Sequence, residues 1–166
     1  MGFHFTATEI ALIGATSGPI SLILGIFNAL GNRVKLIVEE ADLSFVNNPD
    51  GYRNKSVEQL KRYSLQIRVD FGMSNRRAGT GSFERPRLRI RLDNKHIIVK
   101  PSYHNRDKSF SINPHGRVDD VLIYELFAKD IKLFVNNMES AEYFLIYRDH
   151  KGKEKYYKIN NVKQWV

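Results

Sequence analysis

Cysteine is missing from all 166 residues of the chain. This absence excludes disulfide bonds, thiolate zinc sites and cysteine nucleophiles. Other catalytic signatures are missing as well. No serine has a GxSxG context, the Gly-x-Gly of Ala78–Gly81 lacks the third glycine of a phosphate loop, and no two histidines have a metal-ligand spacing. The sequence therefore predicts no enzyme activity, no catalytic residue, no metal site and no cofactor.

Charge is missing from residues 10–31, which read IALIGATSGPISLILGIFNALG. The preceding Thr6–Glu9 has the form of a helix capping box, and Gly31–Asn32 is typical of a helix end. A helix of these residues rises about 1.5 Å per residue, which suffices to cross a hydrocarbon core of about 30 Å. We therefore expect residues 1–32 to form an N-terminal hydrophobic α-helix, either a single-pass membrane anchor or an oligomerisation element.

The run favours membrane insertion only moderately. Its Ile, Leu and Phe residues contribute about 3–6 kcal/mol before the small and polar residues subtract from that sum. Arg33 and Lys35 follow closely, so the positive-inside rule predicts that the rest of the chain is cytoplasmic. An alternative is that the run forms two short helices that pack on protein. Pro19 supports it, because a proline is typical of the first position of a second helix after a joint. A cleaved export signal is a third interpretation.

A regular stripe of small or polar residues lies within this run. Its members recur about every 3.5 residues, and Gly14 with Gly18 forms a GxxxG motif. Such a stripe lets two helices approach closely in lipid, and an asparagine adds a hydrogen bond across the pair. The sequence thus predicts self-association through the helix. The predicted helix-pairing stripe consists of Ala11, Gly14, Gly18, Ser21, Gly25 and Asn28.

Residues 33–166 show short β-strand patterns separated by turn signals. About seven to nine strands with this spacing are typical of an antiparallel β-sandwich. The Cys-Trp-Cys pattern of true immunoglobulin domains is missing, so the resemblance to that fold is one of architecture. We therefore predict an all-β, immunoglobulin-like β-sandwich at residues 33–166, preceded by the hydrophobic helix of residues 1–32.

Individual strands carry more detailed signals. The first strand changes its apolar phase near Glu39–Glu40, which predicts a β-bulge. Tyr63–Phe71 alternates strictly between apolar and polar positions, and residues 72–82 are predicted to form a loop after it. Residues 118–128 are predicted to be a strand because of their β-branched and aromatic content. Residues 129–135 are assigned neither to a helix nor to a strand.

Positive charge is concentrated between Gly51 and Phe110, where 15 Lys or Arg outnumber 5 Asp or Glu. The strand Glu84–Leu92 directs alternate arginines to one face. The predicted basic surface consists of Arg85, Arg87, Arg89, Arg91, Lys95 and Lys100. It suits a polyanion or lipid headgroups, and equally a solvated face that deters aggregation. Nucleic acid is disfavoured, because only Phe83 and Tyr103 are expected nearby for base stacking.

The run IALIGATSGPISLILGIFNALGNRVKLIVE resembles the start of a class of small uncharacterised microbial proteins. These have one N-terminal hydrophobic helix, a basic Arg/Lys-x-Lys-Leu-x-Val junction and an immunoglobulin-like β-sandwich. The likeness extends to Leu65–Asn75 and to the Arg-Pro-Arg-Leu-Arg-Ile strand. This resemblance implies the architecture and membrane association, and it transfers no catalytic residue.

These patterns together favour a membrane-attached β-sandwich that acts as a binding or scaffold module, with membrane lipid as one partner. No motif indicates its protein partner or ligand. The alternative is a soluble homo-oligomer that has its N-terminal helix at the subunit interface and binds a polyanion on the basic surface.

Overall fold

A computed structural model describes residues 22, 34–77, 79–102, 110–149 and 152–163, with the backbone alone at 81–83 and 110. Within these ranges, no helix is long and apolar enough to cross a membrane. The predicted helix-pairing stripe lies outside the described residues.

Most of the described chain is β-strand, which confirms the predicted all-β class. Two α-helices interrupt the strands, α1 (Val57–Leu60) and α2 (Ala128–Asn136), and two 3-10 turns occur at Pro49–Tyr52 and Met138–Ser140. The strands are β1 (Leu36–Phe45), β2 (Ser64–Asn75), β3 (Gly81–Phe83), β4 (Arg87–Leu92), β5 (Lys95–Val99), β6 (Phe110–Ile112), β7 (Arg117–Phe127), β8 (Ala141–Arg148), β9 (Glu154–Ile159) and β10 (Asn161–Lys163).

The strands form two four-stranded sheets and a small ribbon. The first sheet has the order β10-β1-β2-β7, the second sheet has the order β5-β4-β8-β9, and β3 pairs with β6. Among the described strands, every pairing is antiparallel except that of β10 with β1. The chain therefore leaves the second sheet after β9 and adds its last described strand to the edge of the first.

Side-chain alternation directs apolar residues from both sheets into one core. In β4, Leu88, Ile90 and Leu92 are buried, as their spacing predicts. The register of β1 against β2 shifts between Val38 and Glu40, which confirms the predicted bulge. Because the bulge changes the phase of β1, its apolar residues on both sides of the bulge face the core.

The prediction of a loop from residue 72 is wrong, because β2 continues to Asn75. Gly72 lies between Glu40 of β1 and Asp119 of β7. A Cβ atom at Gly72 would lie 2.6 Å from Nη2 of Arg117. The missing side chain leaves room for Arg117 to cross β2 and to form ion pairs with Glu40 and with Glu39, the latter at 3.2 Å. Gly72 therefore lets the Arg117 side chain pass over β2, and the strand continues through it.

Helix α2 closes one end of the core. The strand predicted at residues 118–128 ends at Phe127, and Ala128 takes a positive φ of 34° as the chain turns into the helix. Phe134 of this helix is fully buried. Its ring lies 5.6 Å from the ring of Phe45 and 6.4 Å from that of Tyr143, measured between centroids, so α2 joins the two sheets.

Candidate binding surfaces

The outer face of the second sheet carries the arginines of the predicted basic surface. Because Leu88 and Ile90 point into the core, the alternate residues Arg87, Arg89 and Arg91 point outward. Strand pairing places Ile98 of β5 and Phe144 of β8 on either side of Arg89. We call this surface the arginine face, and it consists of Arg87, Arg89, Arg91, Ile98, Glu142, Phe144, Ile146, Tyr156 and Lys158.

Carboxylates compensate the two outer arginines. Arg87 forms an ion pair with Glu154, and Arg91 lies 2.7 Å from a carboxylate oxygen of Glu142. Lys158 donates a hydrogen bond to the other oxygen of Glu142 at 2.6 Å. This hydrogen bond, assisted by the nearby charge of Arg91, holds the pKa of Glu142 below its ordinary value. Much of the positive charge on β4 is therefore balanced within the sheet itself.

Arg89 differs from its two neighbours. Among the described residues it has no ion-pair partner, and its buried Nε atom has no hydrogen-bond partner. Its guanidinium carbon lies 5.9 Å from the centre of the Tyr156 ring, within the range of a cation–π contact. The central cation of the face thus contacts an aromatic ring and has no counter-charge among the described side chains.

Sequence reasoning missed the apolar part of this face. It expected only Phe83 and Tyr103 near the arginines, whereas strand pairing brings Phe144 and Tyr156 beside them. Ile98 is 47% exposed and Tyr156 is 53% exposed. Ile146 is only 3% exposed, although it lies outside the core cluster. The sequence did contain a signal for it. Strand β8 has apolar and aromatic residues at consecutive positions, so both of its faces carry them.

The other predicted cations do not all join this face. Arg85, Arg87 and Lys100 line one open cavity of about 400 Å³ with Glu84 and Pro101. Lys95 begins β5 at the opposite end of the hairpin, directly after the turn at Asp93–Asn94. The structure therefore separates the six predicted cations into a cavity group, a strand face and one isolated lysine.

The outer face of the first sheet is acidic by contrast. Glu39, Glu40, Asp42, Asp70 and Asp119 lie here, and Arg117 crosses the strands to contact three of them. The Ser74 hydroxyl and Arg76 donate hydrogen bonds to Glu39 and lower its pKa. Lys163 and Asn161 lower the pKa of Asp42 in the same way. The first sheet therefore presents five carboxylates on its outer face, and the two outer faces of the domain differ in composition.

The histidines do not converge on a site. His96 and His115 are exposed, and the other three lie outside the described residues. Across the described ranges, no three His, Asp or Glu side chains lie close enough together to hold a metal ion.

No protein-family model matches the sequence, and no curated protein matches it. Among solved structures, the chain is similar to one described as "X-ray structure of Northeast Structural Genomics Consortium target SoR45". The sequences are 11% identical, the alignment covers 78% of this chain and 83% of that chain, and the TM-score is 0.42. A likeness at this level carries no argument about function.

Proposed function

We propose that the protein is a membrane-attached binding or scaffold module, built on an immunoglobulin-like β-sandwich. The strand order supports this fold. An immunoglobulin constant domain has one sheet of four strands and another of three, with connections that cross between them. Here the chain crosses from β2 toward β4 and from β7 to β8. Pro101 forms a bridge to Tyr124 on the outer edge of β7, where a fifth strand of the first sheet would lie.

Membrane attachment rests on the uncharged run. Residues 10–31 precede β1, which begins at Leu36, so the connection between run and domain is only a few residues long. A domain on so short a connection stays close to the bilayer. Arg33 and Lys35 support a cytoplasmic position of the domain by the positive-inside rule. The stripe of small residues supports pairing of two copies within the membrane.

The arginine face supports the binding role, and its composition is the observation that carries the proposal. Tyrosine, phenylalanine and arginine are enriched in the cores of protein interfaces. Here an uncompensated Arg89 lies among exposed Ile98 and Tyr156, and ion pairs flank it on both sides. A folded protein that presents a carboxylate to Arg89 and apolar atoms to its neighbours fits this arrangement better than a polyanion does.

Membrane attachment is tested by adding charge to the run. Replacing Leu22 and Ile23 together by arginine costs about 6–8 kcal/mol of insertion free energy, which exceeds the total that the run supplies. The matched control exchanges the two residues, Leu22→Ile with Ile23→Leu. We expect the control and the parent to stay in the membrane fraction after carbonate extraction, and the arginine variant to become soluble. If the parent itself is soluble and monodisperse without detergent, the proposal fails and the soluble homo-oligomer replaces it.

The binding face is tested by site-specific photocrosslinking in the producing cells. A photoreactive amino acid at Ile98 samples the arginine face, and one at Val121 samples a partly exposed apolar position on the other outer face. We expect a discrete crosslinked product from position 98 alone. Equal products from both positions, or none from 98, would contradict the assignment of the binding surface.

The polyanion alternative is tested on heparin. If the face binds no polyanion, replacing Arg87, Arg89 and Arg91 by Gln should lower the salt concentration for elution only as much as the loss of three exposed cations elsewhere does. Loss of retention in that triple variant would instead favour a polyanion ligand.

A further inference from the structure

Three segments bring cations to the end of the domain where the chain enters from the hydrophobic run. The backbone carbonyl of Lys35 accepts a hydrogen bond from the Arg76 amide at 3.0 Å. The carbonyl of Arg77 accepts one from the His115 amide at 3.2 Å. The start of β1, the end of β2 and the turn before β7 therefore meet at one place, which we call the basal end.

Buried Asn75 holds this end together. Its side-chain oxygen accepts hydrogen bonds from the amides of Lys35 and Arg77, both at 3.2 Å. Its side-chain nitrogen donates to the carbonyls of Gly79 and Asn113. Because Asn75 is only 1% exposed, its side chain is shielded from water, and its hydrogen bonds fix the backbone that carries the cations. The basal cations thus sit on an ordered surface.

The hairpin between β8 and β9 adds to the same end. The Tyr157 hydroxyl of β9 donates to the carbonyl of Glu39 at 3.1 Å, and Asn161 of β10 pairs with Asp42. Since β9 and β10 therefore run in the same direction as β1, the hairpin that precedes β9 lies where β1 begins. This hairpin contributes Lys153, which is exposed.

Several basal cations lack an ion-pair partner in the part of the domain that the structure describes. Lys35, Arg77 and Lys153 are exposed and form no ion pair with another described residue. Arg76 pairs with Glu39 at 3.3 Å while its side chain stays 61% exposed. The carboxylates near this end all have partners of their own. Glu39, Glu40 and Asp119 contact Arg117, Glu84 lies 3.7 Å from Arg148, and Asp149 accepts from the Lys153 amide.

We propose that the basal end, through Lys35, Arg76, Arg77 and Lys153, lies on the membrane surface and contacts anionic lipid headgroups. This inference rests on the proposed membrane attachment. The short connection to the run brings the basal end to the bilayer, and its uncompensated cations complement the negative charge of the cytoplasmic leaflet. The headgroups would orient the domain so that its opposite end, where α1 and α2 lie, is directed away from the lipid. We call that opposite end the helical end.

The lack of native cysteine allows single fluorophores to be attached to the full-length chain. Thr80→Cys labels the basal end, because Gly79 beside it contacts Asn75, and Asn54→Cys labels the helical end beside α1. Each labelled protein is reconstituted into vesicles that contain a headgroup-linked energy acceptor. The vesicles consist of phosphatidylcholine alone or of phosphatidylcholine with phosphatidylserine.

We expect higher energy transfer from position 80 than from position 54, and a further rise at position 80 when phosphatidylserine is present. Raising the salt to 1 M, where the Debye length is about 3 Å, should abolish that rise. The variant Arg77→Gln with Lys153→Gln should lose the rise as well. The control Lys61→Gln with Lys129→Gln removes two exposed cations from the helical end and should keep it.

Two kinds of failure are distinguishable. Protein that floats with the vesicles but gives equal transfer from both positions, or no response to phosphatidylserine, overturns this inference and leaves membrane attachment standing. Protein that does not float with vesicles overturns both proposals.

Discussion

Replacing Asn75 by alanine should destabilise the domain far more than its position near a strand end suggests. The side chain makes five hydrogen bonds to the backbone, to Lys35, Arg77, Gly79, Ile112 and Asn113. Each is worth about 1 kcal/mol net, and a buried partner left unpaired costs more. Water can reach the exposed residues Lys35 and Arg77 once the amide is removed, which offsets part of the loss. We expect the free energy of unfolding to fall by about 3 kcal/mol.

The free energy is measured by urea unfolding of a shortened chain that begins at Asn32. Because this chain lacks the hydrophobic run, the measurement can be made without detergent. Every residue of the described core cluster lies between Leu36 and Ile159, so this version contains that whole cluster. With a slope of about 2 kcal/mol per molar urea, the expected loss moves the midpoint down by about 1.5 M. Asn136→Ala is the matched control, because Asn136 is exposed at the end of α2, and it should change stability by less than about 0.5 kcal/mol.

Hydrogen exchange separates this mechanism from a general loss of packing. The amides of Lys35 and Arg77 both donate to Asn75, so they should exchange faster in Asn75→Ala, whereas amides in the middle of β4 should follow the global stability alone. A change in unfolding free energy no larger than that of Asn136→Ala would refute the reasoning. Unchanged protection at Lys35 and Arg77 would refute it as well.

Three further predictions concern single side chains. Tyr124→Phe should cost about 1–2 kcal/mol by urea unfolding, because the buried hydroxyl donates to the Pro86 carbonyl at 2.8 Å, while Tyr63→Phe at an exposed ring should cost almost nothing. Phe134→Ala should cost about 3–5 kcal/mol in the same assay, and an equal loss from exposed Phe127→Ala would contradict the placement of α2 over the core. Lys158→Met should raise the pKa of Glu142 in an NMR titration, since Lys158 is the main cause of its lowered value; an unchanged pKa would show that the hydrogen bond is not formed. In the unsubstituted protein, ionised Glu142 stabilises the fold because its pKa is lower in the folded state than in the unfolded state. This contribution is complete above the unfolded pKa of about 4.3 and is lost as the pH falls through the folded pKa.

The sequence by itself determined the main strands and, where apolar and polar residues alternate strictly, the side of the strand that faces the core. Leu88, Ile90 and Leu92 alternate with arginines, and the phase change at Glu39–Glu40 marks the bulge. Both patterns arise because successive side chains of a strand point to opposite faces. They can therefore be recognised from adjacent residues alone. The missing cysteine excluded thiol chemistry in the same direct way.

Only the tertiary structure decided which strands become neighbours. Gly72 lies within β2 because Arg117 of another strand needs the space above it. Glu142 and Glu154 compensate two arginines, and Tyr156 supports the third, although all three partners lie more than 50 residues further along the chain. Asn75 joins three segments in a similar way. Such contacts depend on strand order and register, which arise when the whole core is buried, and no local pattern encodes them.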